Sequence, residues 1–81
     1  MLKILFFAQT RELIGIDEIE LPSTFTTAEE VRAYLSEKGE RWALALEKEK
    51  LLVAINQTLM SLDSQVQSGD EIAFFPPVTG G

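Results

Sequence analysis

The residues best placed to do chemistry close the sequence, in FFPPVTGG, where Pro76, Pro77, Val78 and Thr79 lead to Gly80 and Gly81. Neither glycine has a side chain to react, so the group on offer is the terminal carboxyl of the backbone itself. Proline supplies no N–H to a ladder and holds its own φ near −65°, so a strand entering Pro76-Pro77 must leave its sheet there by a stiff path. From Pro76 to Gly81 the chain reaches at most roughly 20 Å at about 3.3–3.6 Å per residue, enough to enter the cleft of another protein. Gly80 and Gly81 make that end thin, without a Cβ to clash in a narrow channel. The branched Val78 is suited to anchor the middle of the tail. The conjunction is that of a delivery device whose cargo is attached at the chain end.

Other chemistries are poorly represented. The 81 residues contain neither cysteine nor histidine, which removes disulfides, thiol nucleophiles and the usual soft or imidazole metal ligands. No glycine-rich strand-to-helix turn, GK[ST] phosphate loop or HExxH motif occurs. Glu47 with Glu49, and Asp70 with Glu71, read as solvating charge on exposed turns, because a general acid needs burial or a close like charge to raise its pKa. Arg11 is the one base of the first connection and a candidate contact to a partner. Seven basic against thirteen acidic residues give a net charge of −6, which argues against nucleic acid and suits partners with a basic face. In MLKILFFAQTRE the apolar run is cut by Gln9, Arg11 and Glu12, too early for a membrane span or a signal segment, so the expectation is cytoplasmic.

The elements that must position the tail fit one small domain over residues 1–75, with 76–81 as a projecting tail. LKILFFA at 2–8 is aromatic and branched and predicts a strand with Leu2, Ile4, Phe6 and Ala8 on one face. A polar connection with Gly15 leads to DEIELP at 17–22, predicting a hairpin with the first strand. The period then changes to 3.6. Thr27 with Glu30, or Thr26 with Glu29, forms a capping box for a helix whose stripe is Ala28, Val31, Tyr34 and Leu35, with Gly39 as its stop. RWALALEKEK predicts a short helix across one edge of the core, packing Trp42 and Leu46 and exposing Arg41 and 47–50. LLVAIN at 51–56 predicts a central strand, Leu59-Met60 a very short edge strand, Val66 a loop anchor, and DEIAFF at 70–75 the last strand. The class is α+β: a sheet of about five strands with one main helix packed on one face.

Such a layout leaves the second face of the sheet uncovered. If the odd-numbered residues of the first and last strands share it, Leu5, Phe7 and Phe75, joined by Leu59, form a concentrated apolar patch suited to docking.

These residues carry a resemblance. LFFAQTRELIG at 5–15, the threonine-capped helix from Thr27, RWALALE at 41–47, VAINQTL at 53–59 and above all GDEIAFFPPVTGG at 69–81 make the chain similar to the sulfur-carrier subunits of molybdopterin synthase. Related carriers for thiamine or tRNA thiolation, and ubiquitin-like protein modifiers, also end in Gly-Gly; the FFPPVTGG ending favours the molybdopterin branch. The resemblance implies a β-grasp, ubiquitin-like fold and a role in molybdenum cofactor biosynthesis. In that family an adenylyltransferase resembling ubiquitin-activating enzymes uses ATP to activate the terminal carboxylate, and sulfur from a persulfide donor converts it to a thiocarboxylate. The sulfur then passes to cyclic pyranopterin monophosphate in the large catalytic subunit of a heterotetramer. Carried over by position, Gly81 bears the sulfur, Gly80 passes the constriction, and Pro76, Pro77, Val78 and Thr79 set the path. Phe7, Leu59 and Phe75 are the expected partner interface, with Arg11 at its rim, and the chain itself is expected to hold no cofactor and no metal.

Overall fold

The computed structural model describes residues 1–77. Alternation sets the sheet. In β1 (Leu2–Phe6), Leu2, Ile4 and Phe6 are buried while Lys3 is exposed and Leu5 half-buried. In β5 (Glu71–Phe75), Ile72 and Phe74 are fully buried, and in β3 (Leu52–Ile55) Val53 and Ile55 are buried. β1 runs parallel to β5, pairing Ile4 with Ile72 and Phe6 with Phe74; β3 runs antiparallel to β5, pairing Val53 with Phe74 and Ile55 with Ile72. Directly paired residues share a face, so these rows build one continuous apolar surface. β2 (Glu18–Leu21) and β4 (Thr58–Met60) close the edges, giving the order β2-β1-β5-β3-β4. This mixed five-stranded sheet with helices on one face is the β-grasp arrangement expected from the sequence. Among the described residues, no helix is long and apolar enough to cross a membrane.

The main helix, α2 (Ala28–Ser36), lays Ala28, Val31 and Leu35 onto the core with no exposure at all. Thr27 is its N-cap: the Thr27 hydroxyl accepts from the Glu30 N–H at 3.2 Å. The Glu30 carboxylate returns to the N–H of Thr26 at 2.7 Å, so both threonines of the sequence motif are used. Tyr34 lies at the margin of the stripe rather than within it, 47% exposed, with its ring tilted against Phe25 at 5.2 Å. α3 (Glu40–Ala45) packs against α2. It sets Trp42 edge-on to Phe6 at 5.8 Å and buries Leu46 at its end, and a single 3₁₀ turn at Lys48–Lys50 follows.

Three expectations are corrected. The connection after β1 is a helix, α1 (Ala8–Ile14), which takes Ala8 out of the strand; Gly15 is its left-handed cap (φ 83°), donating to the Arg11 carbonyl at 2.7 Å. β1 and β2 pair antiparallel as predicted, but through this helix rather than a tight turn. Helix α2 stops at Ser36, and Gly39 begins α3 instead of ending α2. The middle of the sheet belongs to β5, with β3 one place outward, because β5 takes the parallel pairing with β1 on its other side.

One ion pair lies along α2 itself. Arg32, on α2, donates from Nε and Nη2 to the two carboxylate oxygens of Glu29, each at 2.7 Å. These bonds hold the Glu29 carboxyl below its ordinary value of 4.5, aided by the charges of Arg32 and Lys48 and opposed by burial. A lowered folded-state pKa stabilises the fold above the ordinary glutamate value and loses that contribution as pH falls through the lowered one. Glu29→Gln is therefore expected to cost about 1 kcal/mol near neutral pH, or about 4–8 °C in Tm. Thermal melts should show the gap to the unsubstituted protein closing below the ordinary glutamate range. A gap of the same size at all pH values would remove the pair from the account.

Candidate functional site: the open face and the tail base

The face of the sheet opposite the helices carries one apolar row across four strands. Leu5 of β1 pairs with Ala73 of β5, Ala73 with Ala54 of β3, and Ala54 with Leu59 of β4. The two alanines are the middle of that row. Having no bulk beyond Cβ, they leave a floor, while larger side chains stand around it. The result is a hollow of about 590 Å³ whose rim includes Leu5, Phe7, Phe75 and Pro76.

Phe75 stands next to the floor in register with Leu52, and the Phe7 N–H donates to the Phe74 carbonyl at 3.2 Å, which holds Phe7 beside the end of β5. Phe7 is 45% and Leu59 63% exposed, so large apolar side chains on this face stand in water rather than in a second core. A polar border flanks it: Lys3 pairs across the strands with Glu20 and Glu71, and its ammonium lies 3.9 Å from Glu18. The hollow itself is lined chiefly by carbon, so it binds rather than reacts.

The structure thus brings Phe7 and Phe75 together and sets Leu59 on the same face, two strands away. It places Arg11 elsewhere, exposed on α1 beside Glu12, Gly15 and Asp17, over a separate polar hollow. Ala8, at the start of α1, adopts φ 54°, a left-handed conformation that turns the chain sharply from strand to helix just after Phe7. Ala54 and Ala73 are the residues that sequence reasoning passed over. Their signal was available, since each is the small residue in a strand of large ones, LLVAI and EIAFF.

β5 ends at Phe75 and the diproline follows immediately. Pro76 is half-buried and Pro77 exposed, and both line a second hollow of about 480 Å³ on the helix side, facing Thr10 and Leu13 of α1 and Leu44 and Ala45 of α3. The base of the tail is therefore seated between two hollows, one on each side of the sheet's middle strand. Val78, Thr79, Gly80 and Gly81 lie outside the described residues. Among the described residues no group of three or more acidic side chains is placed to hold a metal ion.

A family model described as the ThiS family matches residues 4–81. The chain belongs to the ThiS family. Two curated relatives align along the whole of their length and of this chain: the "Molybdopterin synthase sulfur carrier subunit" of Haemophilus influenzae at 73% identity, and that of Escherichia coli at 57%. Among solved structures, the protein–protein complex of subunits 1 and 2 of the molybdopterin-converting factor from Helicobacter pylori contains a similar chain. It is 26% identical with a TM-score of 0.67, covering 99% of this chain and 97% of that one. The ThiS-family match spans the open face, the tail base and the Gly-Gly end in one unit, so all three belong to the inherited architecture rather than to an appended segment.

Proposed function

We propose that this ThiS-family chain is the sulfur carrier of a molybdopterin synthase. In this reading residues 1–75 form a presenting domain, and residues 76–81 a tail that delivers sulfur on the carboxyl carbon of Gly81. The observation that carries the reading is the exit of β5. The middle strand of the sheet runs along the apolar hollow, ends at Phe75 on its rim, and passes at once into a diproline. A partner that covers the hollow therefore receives the tail in a defined direction. The full-length similarity to sulfur-carrier subunits from two bacteria supports the same role.

The chemistry follows from the end group. A carboxylate is a poor electrophile and its oxygen a poor leaving group. An activating adenylyltransferase joins the Gly81 carboxylate to the α-phosphate of ATP and releases pyrophosphate; ATP is thus that enzyme's substrate. The outer sulfur of a persulfide donor attacks the acyl carbon and the C–O bond to AMP breaks, giving an acyl disulfide. A thiol then attacks the donor's sulfur, the S–S bond to the acyl sulfur breaks, and the thiocarboxylate leaves as the two thiol sulfurs become a disulfide. Its sulfur then attacks a carbon of the pterin side chain, the C–O bond at that carbon breaks and its oxygen leaves with a proton or on phosphate, and water cleaves the resulting thioester to restore the carboxylate. Two such rounds install the dithiolene of cyclic pyranopterin monophosphate's product. The acid–base and charge-stabilising groups for transfer to the pterin belong to the large catalytic subunit, since the hollow on the carrier's open face is lined chiefly by apolar side chains.

Gly80 would pass the narrowest part of the large subunit's channel, and Pro76, Pro77, Val78 and Thr79 would set the approach. Phe7, Leu59 and Phe75 are the docking surface used in turn by the large subunit and the activating enzyme, with Arg11 a peripheral contact from α1. Two carriers docked on a central pair of large subunits make a heterotetramer. The test is loading: after incubation with ATP, a sulfur donor and the activating enzyme, intact mass should rise by one oxygen-for-sulfur exchange. Adding the large subunit and the pterin precursor should consume that species. Conjugates to lysine without a thiocarboxylate would overturn the reading in favour of a protein modifier. Consumption only by a thiamine-pathway or tRNA-thiolation system would assign a different acceptor.

A further inference from the structure

Arg32 does more than pair with Glu29. Its side chain is only 13% exposed, and its third donor, Nη1, bonds the carbonyl of Leu46 at 2.7 Å. Leu46 is the C-cap of α3, where the last carbonyls of a helix have no partner of their own. The guanidinium therefore ties the end of α3 to α2 through this one donor, Nη1, which is separate from the two donors, Nε and Nη2, that it gives to Glu29.

The consequence reaches the tail. Leu44 and Ala45, just before that cap, and Glu47, just after it, line the hollow whose facing wall is Pro76 and Pro77. α3 also packs against α1, the other helix of this hollow, and α1 touches β5. A shift of the α3 end thus changes what the diproline rests against, at the point where the chain leaves the sheet.

We propose that Arg32 is a positioning residue for sulfur delivery: by holding the Leu46 carbonyl it fixes the wall against which Pro76 and Pro77 depart, and so sets the direction of the tail. The proposal rests on the sulfur-carrier reading. Arg32 touches neither acceptor nor Gly81 and acts through α3 alone. The effect on rate arises because bond formation needs the reacting atoms within about 3–3.5 Å, and misplacement by about 1 Å can cost on the order of 100-fold.

The test uses full-length carriers with the thiocarboxylate installed chemically, which bypasses activation, in complex with the large subunit. Arg32→Met keeps the apolar stem and loses every donor. It is expected to slow single-turnover sulfur transfer by about tenfold with unchanged affinity for the large subunit. Chemical shifts of the Pro76 and Pro77 ring nuclei should move, while nuclear Overhauser contacts among Leu5, Ala54 and Ala73 persist. Glu29→Gln, which loses the charge pair but keeps the bond to Leu46, is expected to transfer at close to the wild-type rate. Arg32→Lys, with a single donor able to reach the carbonyl, should fall between the two.

Wild-type transfer by Arg32→Met, or a loss in Glu29→Gln as large as in Arg32→Met, would overturn the proposal by showing that position is irrelevant or that stability alone is at stake. Should Arg32→Met fail to fold, Arg32→Lys transferring no more slowly than Glu29→Gln has the same force. Failure of the wild-type thiocarboxylate itself to deliver sulfur would instead sink the carrier reading. In that case the proline shifts decide whether Arg32 controls the tail base: unchanged Pro76 and Pro77 shifts in Arg32→Met reject it.

Discussion

Deleting Gly81, or adding one residue beyond it, is expected to abolish sulfur transfer while leaving the fold and docking nearly intact. The fold is unaffected because, among the described residues, the buried side chains of the core lie between Leu2 and Phe74. Docking is unaffected because, among the described residues, the hollow on the open face is lined by residues up to Pro76. What changes is where the acyl carbon sits. A one-residue change moves it along the tail by about 3.3–3.6 Å, while the diproline and the docked face hold the other end in place. Near-attack geometry tolerates far less than that, so a loss of at least about 100-fold is expected even when the thiocarboxylate has been installed beforehand. Single-turnover assays with preloaded carriers, set beside calorimetric titration of the large subunit and thermal melts, separate the three properties. Transfer at a rate comparable with the unaltered carrier would show that Gly81 is not the cargo site. Loss of affinity in step with transfer would show that the tail, and not the sheet face, is the main docking element.

Much of this arrangement can be read from the chain because local and global signals agree. LKILF and EIAFF alternate in period two and form the parallel pair at the heart of the sheet. TTAEE carries a cap whose hydroxyl and carboxylate both find backbone partners, and the helix begins where they require. Helix α1 was hidden for a physical reason. AQTRELI holds only two large apolar residues, Leu13 and Ile14, and it is entered through a left-handed alanine, so neither amphipathic period nor a cap announces it. Gly15 was ambiguous in the same way, since the left-handed conformation serves hairpin turns and helix ends alike. Burial on both faces marked the LLVAI strand as interior without saying which strand is the middle one; long-range pairing decides that, and it chose β5.

The site divides along the same line. Its chemistry was legible, because a tail with no side chain to react leaves only the carboxyl. The rim residues Phe7, Leu59 and Phe75 followed from strand parity. The floor was overlooked although its signal is there: Ala54 and Ala73 are the small residues of LLVAI and EIAFF, and they contribute by what they lack. The second hollow was out of reach, because one of its walls is the unread helix α1.

Replacing Phe75 with aspartate is expected to weaken binding of the large subunit by about 2–4 kcal/mol, on the order of 30- to 1000-fold in Kd. Phe75 and Phe74 are adjacent and chemically identical, and the pleat sends them to opposite faces. Phe74 is fully buried, its ring stacked on Phe6 with centroids 6.5 Å apart; Phe74→Ala should therefore cost about 3–5 kcal/mol of stability. Phe75 is half-buried on the rim of the open hollow, next to the point where the tail departs. A carboxylate there keeps access to water in the free carrier, so the folded state should lose little. In the complex the same carboxylate would be stripped of water against an apolar surface with no partner, which is where the penalty falls. Calorimetric titration and thermal melting of the pair of variants read the two faces apart. Wild-type affinity in Phe75→Asp would remove this residue from the interface. A melting loss as large as that of Phe74→Ala would mean that Phe75 belongs to the core and that the open face docks through Phe7 and Leu59 instead.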